Sequence, residues 1–224
     1  MRSVVFLDVD TQRDFMEPSG ALYVPGAETI VPRLAALTQW AREHNVQIVA
    51  TMDDHIDADA EISQQPDFRV TFPPHCMRGS RGQERIEATA PQHPLHIENR
   101  VYTRAEMAEL LRRHRGEIVI KKQALDVFSN PAAALLVELL APDTVVVYGV
   151  ATEFCINCAV RGLNDRKRRV RVVSDAIRAV DAGAGAGCVA EWRRRGVEIV
   201  TAAEVLSSDM VRAGGPVGFV CRSS

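Results

Sequence analysis

Short runs of apolar, mostly β-branched residues recur along the chain, and longer stretches with apolar positions every three to four residues lie between them. Val4 to Val9 reads as a buried strand, and Glu28 to His44 as a helix with Ile30, Leu34, Leu37 and Ala41 on one face. Val46 to Thr51 is the second strand. Arg104 to His114 is helical, with Met107, Leu110 and Leu111 turned inward, and Glu117 to Ile120 is the third strand. Pro131 to Leu140 begins with proline in the first turn, where its missing N–H has no helical partner to lose. Thr144 to Tyr148, Val170 to Val173 and Val197 to Val200 are strands four to six. Cys155 to Arg166, Gly187 to Arg195 and Ala202 to Ser207 are the remaining helices. Strands alternating with helices predict an α/β domain, a parallel sheet with helices on both faces.

One segment breaks this rhythm. The stretch 53–100 is polar and rich in proline, aspartate, glutamine and histidine. Structureless connections beyond about 15 residues are uncommon in compact domains and are usually functional or disordered. Histidines and carboxylates among prolines point to function. The tail 212–224, with Gly214, Gly215, Pro216 and Gly218, reads as loop, which leaves 1–211 as the folded domain.

Composition narrows the classes. With 224 residues, 46% hydrophobic and 25% charged, the chain has ample material for one sizeable core. A net charge of −2 offers no basic field for nucleic acid, and the clusters Arg112–Arg115 and Arg166–Arg169 suit helix C-termini. No apolar run reaches the roughly 20 residues of a membrane helix, and Asp8 and Asp10 cut short the apolar start that a signal peptide would need. Five cysteines, an odd number, argue against a disulfide framework. The expectation is a cytoplasmic protein acting on a small molecule, with neither nucleic acid nor membrane as partner, and assembled as a homo-oligomer.

In open parallel sheets, ligands bind beyond the carboxyl ends of the strands. Position alone therefore nominates Asp10, Asp53, Lys121 or Lys122, Ala151 to Cys155, and Ser174 or Asp175. Cys155 follows strand four and opens a helix, where unpaired N–H groups favour a thiolate and bind an oxyanion. Its thiol needs a base, and Asp10 is adjacent if strands one and four are neighbours. Taken alone, Cys155 is equally a small buried hydrophobe. Cys155 and Cys158 also form a Cys-x-x-Cys pair, although no thioredoxin-like proline accompanies it. Asp53 and His55, with Glu61 and His75 further along the polar segment, make a donor set suited to zinc, manganese or iron(II), or simply an exposed loop.

Three elements together resemble the isochorismatase-like cysteine hydrolases. They are Asp10-Thr11-Gln12-Arg13-Asp14-Phe15, then Lys122 with Asp126 and Phe128, then Gly149-Val150-Ala151-Thr152-Glu153-Phe154-Cys155, in family order across residues 3–205. The resemblance implies a three-layer α/β/α fold with a doubly wound, six-stranded parallel sheet of order 3-2-1-4-5-6. It implies Asp10 as base, Lys122 as orienting cation and Cys155 as nucleophile. It also implies a cis peptide between Val150 and Ala151, and an oxyanion hole from the amides of Ala151 and Cys155. Asp53-x-His55 with Pro73-Pro74-His75-Cys76 resembles the metal element of nicotinamidases, which true isochorismatases lack. Glu61 stands where many of them have a second histidine. The same resemblance puts Phe15, Phe72 and Phe128 around the substrate, and a divalent metal, zinc first with manganese or iron as alternatives, on Asp53, His55, Glu61 and His75. Isochorismatases cleave a vinyl ether without a thiol, so Cys155 favours acyl transfer. The implied reaction is hydrolysis of nicotinamide to nicotinate and ammonia. Another small-amide or ureido hydrolase of the family is the alternative, and a non-hydrolytic redox or binding role the distant one.

Overall fold

The computed structural model describes residues 3–207, so the expected tail, 212–224, lies outside the described residues. A seven-stranded, wholly parallel sheet forms the middle layer, in the order β3-β4-β2-β1-β5-β6-β7. Its strands are β1 (Val4–Val9), β2 (Gln47–Asp53), β3 (Leu95–Ile97), β4 (Ile118–Lys122), β5 (Thr144–Val150), β6 (Arg169–Arg178) and β7 (Glu198–Val200). The six expected strands occur in the expected order, and β3 extends the sheet by one edge strand beside β4. Three residues inside a polar segment carry too little alternation to announce a strand.

The helices are α1 (Arg13–Met16), α2 (Val31–Glu43), α3 (Arg104–Arg113), α4 (Pro131–Leu140), α5 (Asn157–Asp165), α6 (Ala182–Arg194) and α7 (Ala202–Ser207). Side chains along the central strands alternate between two cores, as the two-residue period of a strand requires. Val5, Leu7, Val145 and Val147 face α3, α4 and α5, whereas Phe6, Val146 and Tyr148 face α2 and α7. Local chemistry starts the helices where the chain leaves the sheet. Asn130 accepts from the Ala132 N–H at 2.8 Å ahead of Pro131, Thr103 caps α3 through the Glu106 N–H, and Asp181 caps α6. α6 begins five residues before the predicted start, because Asp181 supplies a cap and tertiary packing overrides the glycines of its first two turns.

β1 is flanked by β2 on one side and β5 on the other, so the sheet grows outward from it in both directions, first through β2, β4 and β3 and then through β5, β6 and β7. A crevice opens at that point beyond the strand ends. The segment after β2 is ordered by folding back on itself. His55 pairs with Met77 and Ile62 with Phe72 in isolated bridges, and the Phe72 N–H donates to the Glu61 carbonyl at 2.7 Å. This doubling brings Glu61 and His75 back to His55, over the crevice.

Candidate active site

Three strand ends supply the candidate reacting groups. Asp10 follows β1 with a left-handed φ of 47°, and Thr51 of β2 fixes its carboxylate by donating to Oδ1 at 2.6 Å. Lys122 ends β4, fully buried, and reaches past β2 to place Nζ 3.0 Å from Asp10 Oδ2 and 3.5 Å from Cys155 Sγ. Its ammonium also pairs with Asp53 Oδ1. Cys155 follows β5 through the cis peptide Val150–Ala151, and its Sγ lies within 4.8 Å of a carboxylate oxygen of Asp10. The structure thus brings Asp10, Lys122 and Cys155 into mutual contact.

As its position in sequence suggested, the thiol stands at the start of helical backbone: Phe154, with φ −109° and ψ −107°, breaks the helical path just before it, and Ile156 leads directly into α5. The preceding turn, which begins at Thr152, is separated from it by that kink. Burial pushes the Cys155 thiol well above its ordinary range, against the opposing charge of Lys122. Burial likewise raises Asp10, only partly countered by Lys122. A neutral thiol beside a carboxylate of raised basicity is a pair made for proton transfer.

The second cluster adjoins the first through Asp53. One donor atom from each of Asp53, His55, Glu61 and His75 lies within 4.8 Å of the others, and all four side chains are buried. Asp53 Oδ2 is 3.8 Å from His55 Nε2 and 3.7 Å from His75 Nε2, and His75 Nε2 is 3.9 Å from Glu61 Oε1. These distances are too long for hydrogen bonds. Asp53 Oδ2, His55 Nε2 and Glu61 Oε1 have no hydrogen-bond partner, a cost of about 1–3 kcal/mol each if left uncompensated. His75 Nδ1 is 2.8 Å from the Pro73 carbonyl, which only accepts, so a neutral His75 carries its proton there and turns the Nε2 lone pair inward. His55 Nδ1 faces Asp59 Oδ2 at 3.3 Å, with the same result. Two imidazole lone pairs and two carboxylates converging without partners fit a divalent metal. Burial is the largest influence on Asp53 and opposes its ionisation, but Lys122 together with the two neighbouring imidazoles outweighs it and holds the carboxyl well below its usual range.

The sequence reading did not single out the groups that hold this frame. Gln12 donates through Nε2 to the Asp53 carbonyl at 2.9 Å and accepts the Asp53 N–H at 2.7 Å, like an extra strand. Asp14 accepts the Cys76 N–H at 2.6 Å and the Ala21 N–H at 3.0 Å, fastening the folded-back segment to the loop after α1. Their signal lay in the opening motif, whose polar alternation marks backbone-binding side chains as well as a base.

A cavity of about 600 Å³, counting its open mouth, leads to Cys155 between Phe15, Phe72, Phe154, Leu125, Val150 and Ala151, with Asp53, Glu61 and His75 at its inner end. Phe15 and Phe72 flank His75 at ring distances of 5.4 and 6.1 Å, and Phe72 meets Phe154 edge-on at 5.7 Å. Phe128 does not line this cavity. Its ring lies under the Arg166 guanidinium and fills the space that a side chain at Gly162 would need, so it packs α5 onto the turn after β4. Leu22, Val24, Phe68 and Val180 line the cavity without any regular spacing that could have found them.

Comparison with known proteins gives a consistent result. The Isochorismatase domain model matches residues 4–204. Nicotinamidase/pyrazinamidase of Mycobacterium tuberculosis is 28% identical over 89% of this chain and 98% of its own length. Maleamate amidohydrolase of Pseudomonas putida is 26% identical over 79% and 72%. The structure of a Pyrococcus horikoshii pyrazinamidase in complex with zinc superposes with a TM-score of 0.70 at 24% identity, over 89% of this chain and 99% of that one.

Proposed function

The chain belongs to the isochorismatase family, and on that footing we propose that it hydrolyses nicotinamide to nicotinate and ammonia, with Cys155 as nucleophile. The observation that carries this reading is the contact of Cys155, Asp10 and Lys122 at the floor of an aromatic cavity whose inner end is a metal-type donor set. Asp10 takes the thiol proton as Sγ attacks the carboxamide carbon. The amides of Ala151 and Cys155 hold the resulting oxyanion. The C–N bond breaks as Asp10 returns the proton to nitrogen, and ammonia leaves a thioester. Asp10 then takes a proton from water, the hydroxide adds to the thioester carbon, and the C–S bond breaks to release the acid as Cys155 recovers its proton. Lys122 keeps Asp10 oriented and balances its charge in each half-reaction. Phe15 and Phe72 are the ring-stacking walls. A divalent metal held by Asp53, His55, Glu61 and His75, zinc first, with manganese or iron(II) suited to the same donors, would supply a Lewis-acid anchor for the pyridine nitrogen.

Maleamate-type and carbamoyl amino acid substrates carry a carboxylate. Among the described residues the cavity lining includes no lysine or arginine, and Lys122 behind it is committed to Asp10 and Asp53. Away from the Asp53–His75 donor set, burying an unpaired carboxylate costs several kcal/mol, so the apolar walls favour an uncharged aromatic amide. Incubation of the purified protein with nicotinamide, with Cys155→Ala as the blank, tests the proposal. Ammonia should appear only with the intact thiol. Equal release by both proteins, or release from maleamate but not nicotinamide, would overturn it.

A further inference from the structure

The cavity deepens from an apolar mouth to a polar floor. Cys155, Phe15 and Phe72 are 6%, 7% and 4% exposed, whereas Phe68 and Val180, which line the same cavity, are 58% and 49% exposed. Single exposed hydrophobic residues need no explanation, but two from separate loops on one cavity do. Both sit on backbone closed by hydrogen bonds. Asp67 Oδ1 accepts the N–H groups of Arg69, Val70 and Thr71 at 2.9, 3.0 and 2.9 Å, and the Thr71 hydroxyl at 3.0 Å, which closes the turn that carries Phe68. Glu153, two residues before the nucleophile, accepts the Val180 N–H at 3.2 Å and the Asp181 N–H at 2.7 Å. Apolar side chains carried on loops whose backbone is already tied down are pre-organised for a ligand to that extent, since the backbone need not be ordered on binding. A bare pyridine carboxamide, a single ring with its amide at the thiol, leaves that rim in water.

We propose that Phe68 and Val180 form an apolar specificity rim, and that the preferred substrates are aromatic carboxamides with an alkyl or similar apolar group on the ring edge turned away from the amide. This rests on the amide-hydrolase reading above and extends it outward from the floor. Each methylene the rim buries is worth roughly fourfold in binding. The test compares kcat/KM for ammonia release from nicotinamide, 5-methylnicotinamide and 5-propylnicotinamide. The intact protein should favour the propyl compound over nicotinamide at least about tenfold, and Phe68→Ser and Val180→Ser, both loop-surface changes, should bring that ratio towards one. A ratio at or below one in the intact protein, or a ratio that survives both substitutions, overturns the proposal. Failure of the underlying reading looks different, since no compound then releases ammonia. In that case titration calorimetry of Cys155→Ala with the same three compounds reads the rim directly, and equal or undetectable affinities overturn it.

Discussion

Lys122 is the residue on which the site's charge balance turns. It is buried with Asp10, Asp53 and the Cys155 thiol around its ammonium, and its own pKa is pushed well up by the two carboxylates despite burial. Lys122→Met would leave buried carboxylates uncompensated, and a loss of about 3–5 kcal/mol in urea unfolding is expected together with loss of activity. The two acids differ in sign. Asp53 is lowered, so folding favours its ionised form; that stability is present above the ordinary value of 3.8 and is lost as pH falls through its folded value. Asp10 is raised, so folding favours its protonated form, and its ionisation costs stability as pH rises from 3.8 through its folded value. Asp10→Asn should therefore be at least as stable as the parent at pH 7 by urea titration, and inactive. For the same reason the acid limb of kcat/KM should fall at a pH above that of an ordinary aspartate, as Asp10 takes up its proton. The opening motif made Asp10 legible in the sequence as a candidate base because it follows a strand directly. Phe128 was misplaced because a motif gives position along the chain but not which side of the turn a ring faces, and Gly162 receives it.

At the level of elements, glycine separates structure from slack. Gly149 lies in β5 opposite Val9 with φ of 120°, and a Cβ there would stand 2.1 Å from the Val9 carbonyl oxygen. Gly149→Ala should cost at least about 2 kcal/mol, seen as a lower urea midpoint, because strain and clash act together at the strand that delivers Cys155. On α6 the outcomes divide. A Cβ at Gly185 would be 2.6 Å from Ala179 Cβ, beside Thr152 of the nucleophile turn, whereas nothing lies within 4 Å at Gly187. Gly187→Ala should stabilise by roughly 0.5–1 kcal/mol and Gly185→Ala should destabilise, measured side by side by thermal unfolding. The alternation of alanine and glycine that hides α6 in the sequence thus has one member in close packing and one in open space. The central strands were legible because both faces are buried and their apolar runs are unbroken. The edge strand β3, three residues long, had no such run.

Across the whole molecule, the site is assembled from the ends of β1, β2, β4 and β5 and from a segment that doubles back over them. Asp53 ends β2 while His55, Glu61 and His75 belong to the doubled-back segment, so a bound metal would tie the segment to the sheet. Adding zinc to chelator-treated protein should raise the unfolding temperature, by an amount equivalent to about 2.7 kcal/mol at a hundredfold excess over Kd, and Glu61→Ala should shrink that shift. No change in unfolding temperature would count against the donor set. The sequence disclosed the donors as residue types within one polar stretch, but the pairing of His55 with Met77 and Ile62 with Phe72 that gathers them has no local signature. Neither Phe68 nor Val180 belongs to a motif, and only the closed fold places them at one entrance.

Asp53 divides its two oxygens between neighbours, Oδ1 on the Lys122 ammonium and Oδ2 among the imidazoles. This shared ownership constrains how such a chain can diverge. A descendant with no use for a metal at this donor set would be free to drift at positions 55, 61 and 75, yet it must keep an acid at position 53 or find Lys122 another anion.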